Sequence, residues 1–560
     1  MLEDAGRLID AAARSNAAEA ERGAPDSDSK QNNNGDRKRK GAPLDFQPRH
    51  RNQRGERGGA SNDRKRHKKG DMGRGEYFRD APDKREKTNA SREKRLEGKG
   101  PNYGTQFSKE EIDAEERRPK RKVAVLIGYS GTGYKGMQIS ASEKTIEGDL
   151  FNAFIAAGAI SKANADDPKK ASLVRCARTD KGVHAAGNMI SLKLIVEDED
   201  IVSKINHHLS PQIRIWGIER TIGSFSCYQA CDSRWYEYLI PSHAFLPPHP
   251  SSWLAKKLEA GADEAGDRVQ YESRQAEVNG FWDRVDRDDI EPVLASLDAD
   301  IRDDVIKALR GEDETDAHAS HELSTTTLDT EVPAQQTSPE DDHHLRLRAA
   351  TKKLRLAYTS AKRRYRIEQQ RIDQIQAALD KFVGTSNFHN YTVQKTYNDP
   401  SAKRHIKSFV VNKRPVLIGD GPDEEKSEWL SLKIHGQSFM MHQIRKMIGM
   451  VTLLVRCGSD LSTLDKSLTP ARFSIPKVPG LGLLLERPVF DSYNELQAVK
   501  HGREKLDFGK FETELEEFKQ REIYQRIFRE EEERNEFGKF FTHVDNFKEP
   551  YFLYVTSKGL

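Results

Sequence analysis

The chain has 560 residues, 35% hydrophobic and 32% charged, with a formal net charge of +3. That length suits about two to four domains, and the high charge says that part of it is not packed into a core. No apolar run reaches the roughly 18 residues of a membrane span, the acid-bearing start is not a secretory signal, and four cysteines (Cys176, Cys227, Cys231, Cys457) exclude a disulfide framework and indicate a reducing compartment.

Residues 1–118 are rich in Arg, Lys, Gly, Asn and Ser and almost without apolar periodicity, so they cannot offset chain entropy and are expected to be disordered. RKRK (37–40) and RKRHKK (64–69) form clusters suited to nuclear import, and RRPKRK (117–122) adds a third. These clusters predict a nuclear location and an import receptor as partner. The acidic stretch 258–342 offsets their charge, a segregation that suggests a basic arm for a polyanion such as nucleic acid.

Order is expected to begin with a first half over 119–250. VAVLI (123–127) reads as a strand, a helix starts near Thr145 with Ile146, Leu150, Phe151 and Phe154 on one face, and strands follow at 173–176, 188–194, 213–218 and 235–240. After LPPHP (246–250) comes an acidic insert over 251–345, with helices in 282–309 and a linker-like stretch over 324–342. A second half over 346–495 opens with a long basic helix from Arg346, carrying Ile367, Ile372, Ile375, Leu379 and Phe382 at helical spacing. Strands at 408–411 and 429–434 and a helix at 440–457 complete it. A charged helical extension over 496–560 has Phe511, Leu515 and Phe518 on one face. Because the sheet-and-helix pattern occurs twice, the chain reads as α+β with two α/β halves split by the insert.

Two motifs fail on inspection. Gly131, Gly133 and Gly136 spell G-x-G-x-x-G after a strand, yet a dinucleotide site needs a helix to open directly at the glycines and an acid about 20 residues on. Here helical periodicity resumes only near Thr145, and the acid's position falls in FIAAGAI (154–160). There is no P-loop either, nor a glycine-rich S-adenosylmethionine site, and the glycines read as a tight basic loop at a strand end. CYQAC (227–231) could be half of a zinc site, but no Cys/His pair at ligand spacing follows it, so no metal is expected.

The informative stretch is RTDKGVHA (178–185), a turn between two strands that places Asp180 at its tip, where a carboxylate can meet a ligand while the strands hold it. With Y-x-G-x-x-Y-x-G-x-Q (Tyr129, Gly131, Tyr134, Gly136, Gln138), CDSRWYEYLIP (231–241), GTSNFHNYT (384–392), SFMMHQIRKMIGM (438–450) and PGLGLLLERPVF (479–490) in that order, the chain resembles the TruA family of tRNA pseudouridine synthases. The wording of SPQIRIWGIERT and of CDSR-x-Y-x-YL-x-P, with the insert and tails, is most similar to the eukaryotic multisite branch, which modifies tRNA and other RNAs. The third position of the GTSNFHNYT block, commonly His in the family, is Ser386 here.

The resemblance implies a pseudouridine synthase fold, with mixed, mainly antiparallel sheets meeting at a central basic cleft, and action on tRNA and other RNAs. The sequence does not fix the oligomeric state, and a monomer is the favoured expectation. The resemblance makes Asp180 the catalytic carboxylate, Tyr236 an active-site tyrosine and Arg445 an arginine reaching Asp180 from the second half. Isomerising uridine to pseudouridine balances in atoms and charge, so no cofactor is expected. A guanidinium beside a partly desolvated carboxylate keeps it ionised, Tyr236 can stack on an everted uracil and help remove the C5 proton, and Arg178 can fill the gap left by the everted nucleotide or hold a flanking phosphate. Further RNA contacts are expected from Tyr129, Lys181, His184, Lys135, Arg121, Lys122 and the KRRYR run with Lys362, Arg363 and Arg364. A non-catalytic RNA-binding protein retaining the scaffold is the rival reading, and an acid in a basic cleft counts against it.

Overall fold

The structure is a computed structural model describing residues 103–310 and 339–559. Strand β1 (Arg121–Tyr129) shows why its sequence is a continuous apolar run. Alternate residues of a strand face opposite sides: Val123, Val125 and Ile127 enter the main core, whereas Ala124 and Leu126 enter a second core on the other face with Met189, Phe225, Phe490 and Phe508. The strand is covered on both sides.

The other strands are β2 (Val174–Arg175), β3 (His184–Leu194), β4 (Ile213–Arg220), β5 (Ser233–Pro241), β6 (Gly384–Asn387), β7 (Lys403–Val411), β8 (Val416–Ile418), β9 (Ser427–Gly436) and β10 (Leu483–Val489). Together they form one ten-stranded sheet in the order β4-β1-β3-β10-β5-β9-β7-β6, with β2 on β3 and β8 on β9. All pairings are antiparallel except β10 with β3. The sheets of the two expected halves are thus continuous. β10, from the end of the chain's second half, lies between β3 and β5 of the first, and β5 pairs on its far side with β9. This interleaving brings residues distant in sequence into one row: Ala185 stands opposite Leu485, Leu485 opposite Tyr236, and Tyr236 opposite Ile434.

The helix Ile146–Ala156 starts at Thr145, whose hydroxyl accepts from the Gly148 N–H at 3.3 Å, as an N-cap should. The helix Gln443–Arg456 is buried along nearly its whole length and packs beside Gln369–Asp380 against the sheet. Where one long helix was expected from Arg346, there are two, Pro339–Arg363 and Gln369–Asp380. Between them the Arg366 guanidinium donates to the carbonyls of Arg363, Tyr365, Asp423 and Lys426, and the Ile367 N–H donates to Glu428 Oε1 at 2.8 Å. Tertiary partners replace the helical ones there.

The expected insert boundary at 345 also moves. Leu354 and Ala361 of the Pro339–Arg363 helix join Trp282, Val285, Ile290, Ile301 and Val305 in a core belonging to the insert, so the insert reaches 363. Fully buried Arg371 fastens it to the catalytic part, pairing with Glu277 and donating to Gln275 Oε1 (2.9 Å), the Phe245 carbonyl (2.8 Å) and the Val455 carbonyl (3.3 Å). Most of the expected linker, residues 324–338, lies outside the described residues; from Pro339 the chain is helical.

The tail expected over 1–118 is corrected at its end. Tyr103 packs on the main core, the Gly104 N–H donates to Asn152 Oδ1 at 2.8 Å, and a Ser108–Glu111 capping box starts the helix Lys109–Asp113. The clusters at 37–40 and 64–69 lie outside the described residues. Among the described residues no helix is long and apolar enough to cross a membrane.

Candidate active site

The glycines of the first motif explain how the Asp180 turn is held. A Cβ on Gly131 would stand 2.3 Å from the Val183 carbonyl oxygen, and one on Gly136 would stand 2.8 Å from that of Thr179. Only glycine lets the two loops lie this close, and Gly136 also has φ +104°, a left-handed value. Across this contact the Met137 N–H donates to the Thr179 carbonyl at 3.2 Å and the Gly182 N–H to the Tyr134 carbonyl at 3.4 Å. Beneath it, buried Tyr129 places its hydroxyl 2.9 Å from Thr179 Oγ1, and Asn188 Nδ2 donates to that hydroxyl at 3.1 Å and to the Ala177 carbonyl at 3.1 Å. Arg234, at the start of β5, donates to the Cys176 carbonyl at 3.1 Å and the Gln437 carbonyl at 3.3 Å, tying the strand before the turn to the loop before the Gln443–Arg456 helix.

At the tip, the Asp180 side chain is 37% exposed and meets two groups from the second half. His442 Nδ1 lies 2.9 Å from Oδ2, a hydrogen bond, and Arg445 Nη1 lies 3.9 Å from the same oxygen, a charge contact. Arg445 is aimed by its Nε, which donates to the Val478 carbonyl at 2.7 Å, and its guanidinium lies beside Gly480, where a Cβ would stand 3.4 Å from Cζ. Burial lowers its guanidinium from the ordinary value, while Tyr238 and Asp180 act the other way. A second cation stands nearby: burial and Arg445 hold Lys477 below the usual lysine range, with Asp180 opposing them.

Tyr236 is buried on β5, edge-to-face with Phe439 at 5.2 Å between centroids. Burial pushes its phenol up to about 12, against the pull of Arg234 and with a further push from the Asp180 carboxylate. It is a protonated phenol at neutral pH, so it offers hydrogen bonds and ring contact, not a resident phenolate base. The structure therefore brings Asp180, Arg445 and Tyr236 into one neighbourhood.

Several expected RNA contacts are placed otherwise. Tyr129 is fully buried under the turn, and burial raises its phenol far above the usual range. His184 is fully buried too: its Nδ1 accepts from the Gly131 N–H at 3.2 Å, and burial pushes its imidazole down to about 4. Both scaffold the turn and present nothing to a phosphate. Arg121 pairs with Glu197 at 3.0 Å, and Lys122 is half-buried, which lowers its ammonium. Lys362 is half-buried with its Nζ over the Trp282 ring, Arg363 donates to the Glu532 carbonyl at 2.9 Å and Arg364 pairs with Asp289, so this run is tied to the insert and to the C-terminal helices. Arg178 and Lys181 flank Asp180 and are exposed, and Lys135 is exposed with a loose pair to Glu143 at 3.8 Å. Ser386 lies on β6 opposite Arg404.

Cys227 and Cys231 hold no metal geometry: the Cys227 thiol donates to the Val174 carbonyl at 3.3 Å and the Cys231 thiol to the Ser233 carbonyl at 3.2 Å. Among the described residues no cluster of three or more metal-ligating side chains occurs. The residue that sequence reasoning missed is His442. It lies within the SFMMHQIRKMIGM block, but as a residue just before a helix it carries no periodic mark. The GTSNFHNYT block holds its loop: Thr392 Oγ1 donates to the Met441 carbonyl at 3.0 Å, and Lys446 Nζ donates to the carbonyls of Asn390 (3.1 Å) and Thr392 (3.2 Å).

A hairpin carboxylate facing an arginine from the far half, on one continuous sheet flanked by helices, is the arrangement of a TruA-type pseudouridine synthase. Residues 378–491 match the family model described as tRNA pseudouridine synthase. The chain is 44% identical over 444 residues to tRNA pseudouridine synthase 1 of Yarrowia lipolytica, covering 79% of this chain and 77% of that protein. It is 38% identical over 488 residues to the protein of the same name in Schizosaccharomyces pombe, covering 82% and 89%. With tRNA pseudouridine(27/28) synthase of Saccharomyces cerevisiae it shares 34% over 371 residues, covering 66% and 84%. The chain belongs to this family.

Proposed function

We propose that this chain isomerises specific uridines in tRNA to pseudouridine, with Asp180 as the catalytic carboxylate. The observation that carries the reading is the Asp180 side chain itself, open to solvent at the tip of a rigid turn and met at Oδ2 by His442 and Arg445 from the other half of the chain. In the reaction the N1–C1′ bond breaks, the uracil turns, and a C5–C1′ bond forms; C5 loses a proton and N1 gains one. Asp180 can add to C1′, take the 2′ proton to give a glycal, or add to uracil C6. All three routes need it ionised in a site that closes over the base. Arg445 supplies fixed positive charge from a largely covered position, and a preorganised charge of this kind stabilises a developing anion without reorganisation.

The target uridine must leave its stack to reach Asp180, which costs a few kcal/mol. Exposed Arg178, Lys181 and Lys135 stand around the turn as phosphate partners. Phosphate contacts position RNA without reading its sequence, which suits action at several uridine positions and on RNAs besides tRNA. The test is incubation of the purified chain with unmodified tRNA, followed by nucleoside mass analysis. Pseudouridine should appear at defined positions without any added cofactor; its absence at every position would overturn the reading.

A further inference from the structure

We propose that His442 is a positioning residue for this reaction, holding the Asp180 carboxylate in its working direction through one hydrogen bond from Nδ1. The inference rests on the reading of Asp180 as the catalytic carboxylate. Its ground is geometric. His442 has φ +64° and ψ 0°, a left-handed conformation shared among the described non-glycine residues only with Ser172, Gln394 and Asn535. A residue with a Cβ adopts it at a cost, and surrounding structure must impose it. The position is the N-cap of the Gln443–Arg456 helix, where Ser, Thr, Asp or Asn would bond the helix's free N–H groups. His442 makes no such bond; its side chain is turned to Asp180 at 2.9 Å.

The backbone is pinned on both sides of it. Thr392 Oγ1 holds the Met441 carbonyl at 3.0 Å, Gln443 Oε1 accepts from the Met440 N–H at 2.9 Å, and the Lys446 N–H donates to the His442 carbonyl at 3.0 Å. One turn further along the same helix, Arg445 presents its guanidinium to the same carboxylate oxygen. One helix start therefore aims two donors at Oδ2.

The charged groups facing the imidazole are Asp180 from the turn, Lys477 from the segment before β10, and Arg445 from its own helix. Burial lowers the imidazole first, Asp180 raises it, and Lys477 and Arg445 lower it further, leaving it below the ordinary histidine value. At neutral pH it is uncharged. Since an ionised carboxylate only accepts, the hydrogen on Nδ1 must be the one shared, which leaves Nε2 as the acceptor. Acidification through the imidazole's own titration places a further positive charge against Oδ2, beside Arg445 and Lys477. The carboxylate is then a poorer nucleophile and base, so His442 sets the acid limb of turnover.

The experiment compares His442→Gly, His442→Asn and wild type in steady-state isomerisation of tRNA across pH. Glycine accepts the left-handed backbone without strain and removes the donor. Asparagine tolerates that backbone and keeps an N–H donor that does not titrate. For His442→Gly, kcat should fall about 10- to 100-fold, the scale of a lost positioning contact, with KM for tRNA within about two-fold of wild type. His442→Asn should recover at least about half of that loss on a logarithmic scale, and its acid limb should move to lower pH, because the amide does not titrate. A His442→Gly enzyme with wild-type kcat, or an unmoved acid limb in His442→Asn, would overturn the inference while leaving Asp180 in place. Isomerisation surviving in Asp180→Asn would instead remove the reading beneath it.

Discussion

Arg445 is nearly covered, with 11% of its side chain exposed, whereas its partner Asp180 is 37% exposed. That asymmetry assigns them different work. A covered guanidinium touches little RNA before the base arrives, but its charge acts on the carboxylate throughout the reaction. Arg445→Ala should therefore lower kcat about 10²–10³-fold, the scale of removing one preorganised donor, while the tRNA dissociation constant changes by no more than a few-fold. A loss confined to binding, measured by filter retention or fluorescence anisotropy, would contradict this division. Lysine is a poor replacement, because its single nitrogen cannot both donate to the Val478 carbonyl, as Nε does, and face Asp180, as Nη1 does.

Among elements, the glycine loop and the Asp180 turn act as one unit. Gly131 and Gly133 make a paired test. A Cβ at Gly131 meets backbone at 2.3 Å, whereas Gly133, at φ +81°, has nothing within 4 Å of the added atom. Gly131→Ala should shift the turn, cost about 1–3 kcal/mol of stability as overpacking does, and abolish most turnover. Gly133→Ala should cost about 1–2 kcal/mol of left-handed strain and retain most activity. Thermal melts together with turnover decide it; equal loss of activity in both variants would show that the close approach does not matter. The role of these glycines was half legible in sequence. Their failure as a dinucleotide site followed from the missing helix and acid, but the surface they lie against is formed by residues about 50 positions away. The strand at VAVLI and the Thr145 helix start were readable because apolar runs and caps are local. The break after Arg363 was not, since no Gly or Pro marks residues 364–368 and distant carbonyls decide it. His442 was hidden for the same reason: nothing in a histidine announces a positive φ.

At the scale of the whole molecule, the insertion of β10 between β3 and β5 makes the two expected halves one body, and no periodicity predicts a pairing between residues some 300 positions apart. The C-terminal helices are built into that body. Tyr524, Phe528, Phe537 and Phe541 belong to the main core, and buried Arg456, at the end of the helix carrying Arg445, pairs with Asp545. Within this extension Glu531 is buried and both its oxygens accept from the Phe537 N–H, at 3.2 and 3.1 Å. Burial pushes its carboxyl up to about 7 from 4.5. The folded state thus binds this proton more tightly than the unfolded chain does. Its contribution is fully present below about 4.5 and is lost as pH rises through about 7. Relative to Glu531→Gln, the wild-type protein should lose about 2–3 kcal/mol between those limits, at 1.36 kcal/mol per unit. Parallel pH dependences of wild type and variant in denaturant melts would rule this out.

The most direct measurement is isomerisation of unmodified tRNA by Asp180→Asn beside wild type, with tRNA affinity measured on the same preparations. Asparagine keeps the shape of the turn and removes the ionisable oxygen, so conversion to pseudouridine should vanish while affinity stays within a few-fold. Substantial conversion by the variant would contradict Asp180 as the acting carboxylate.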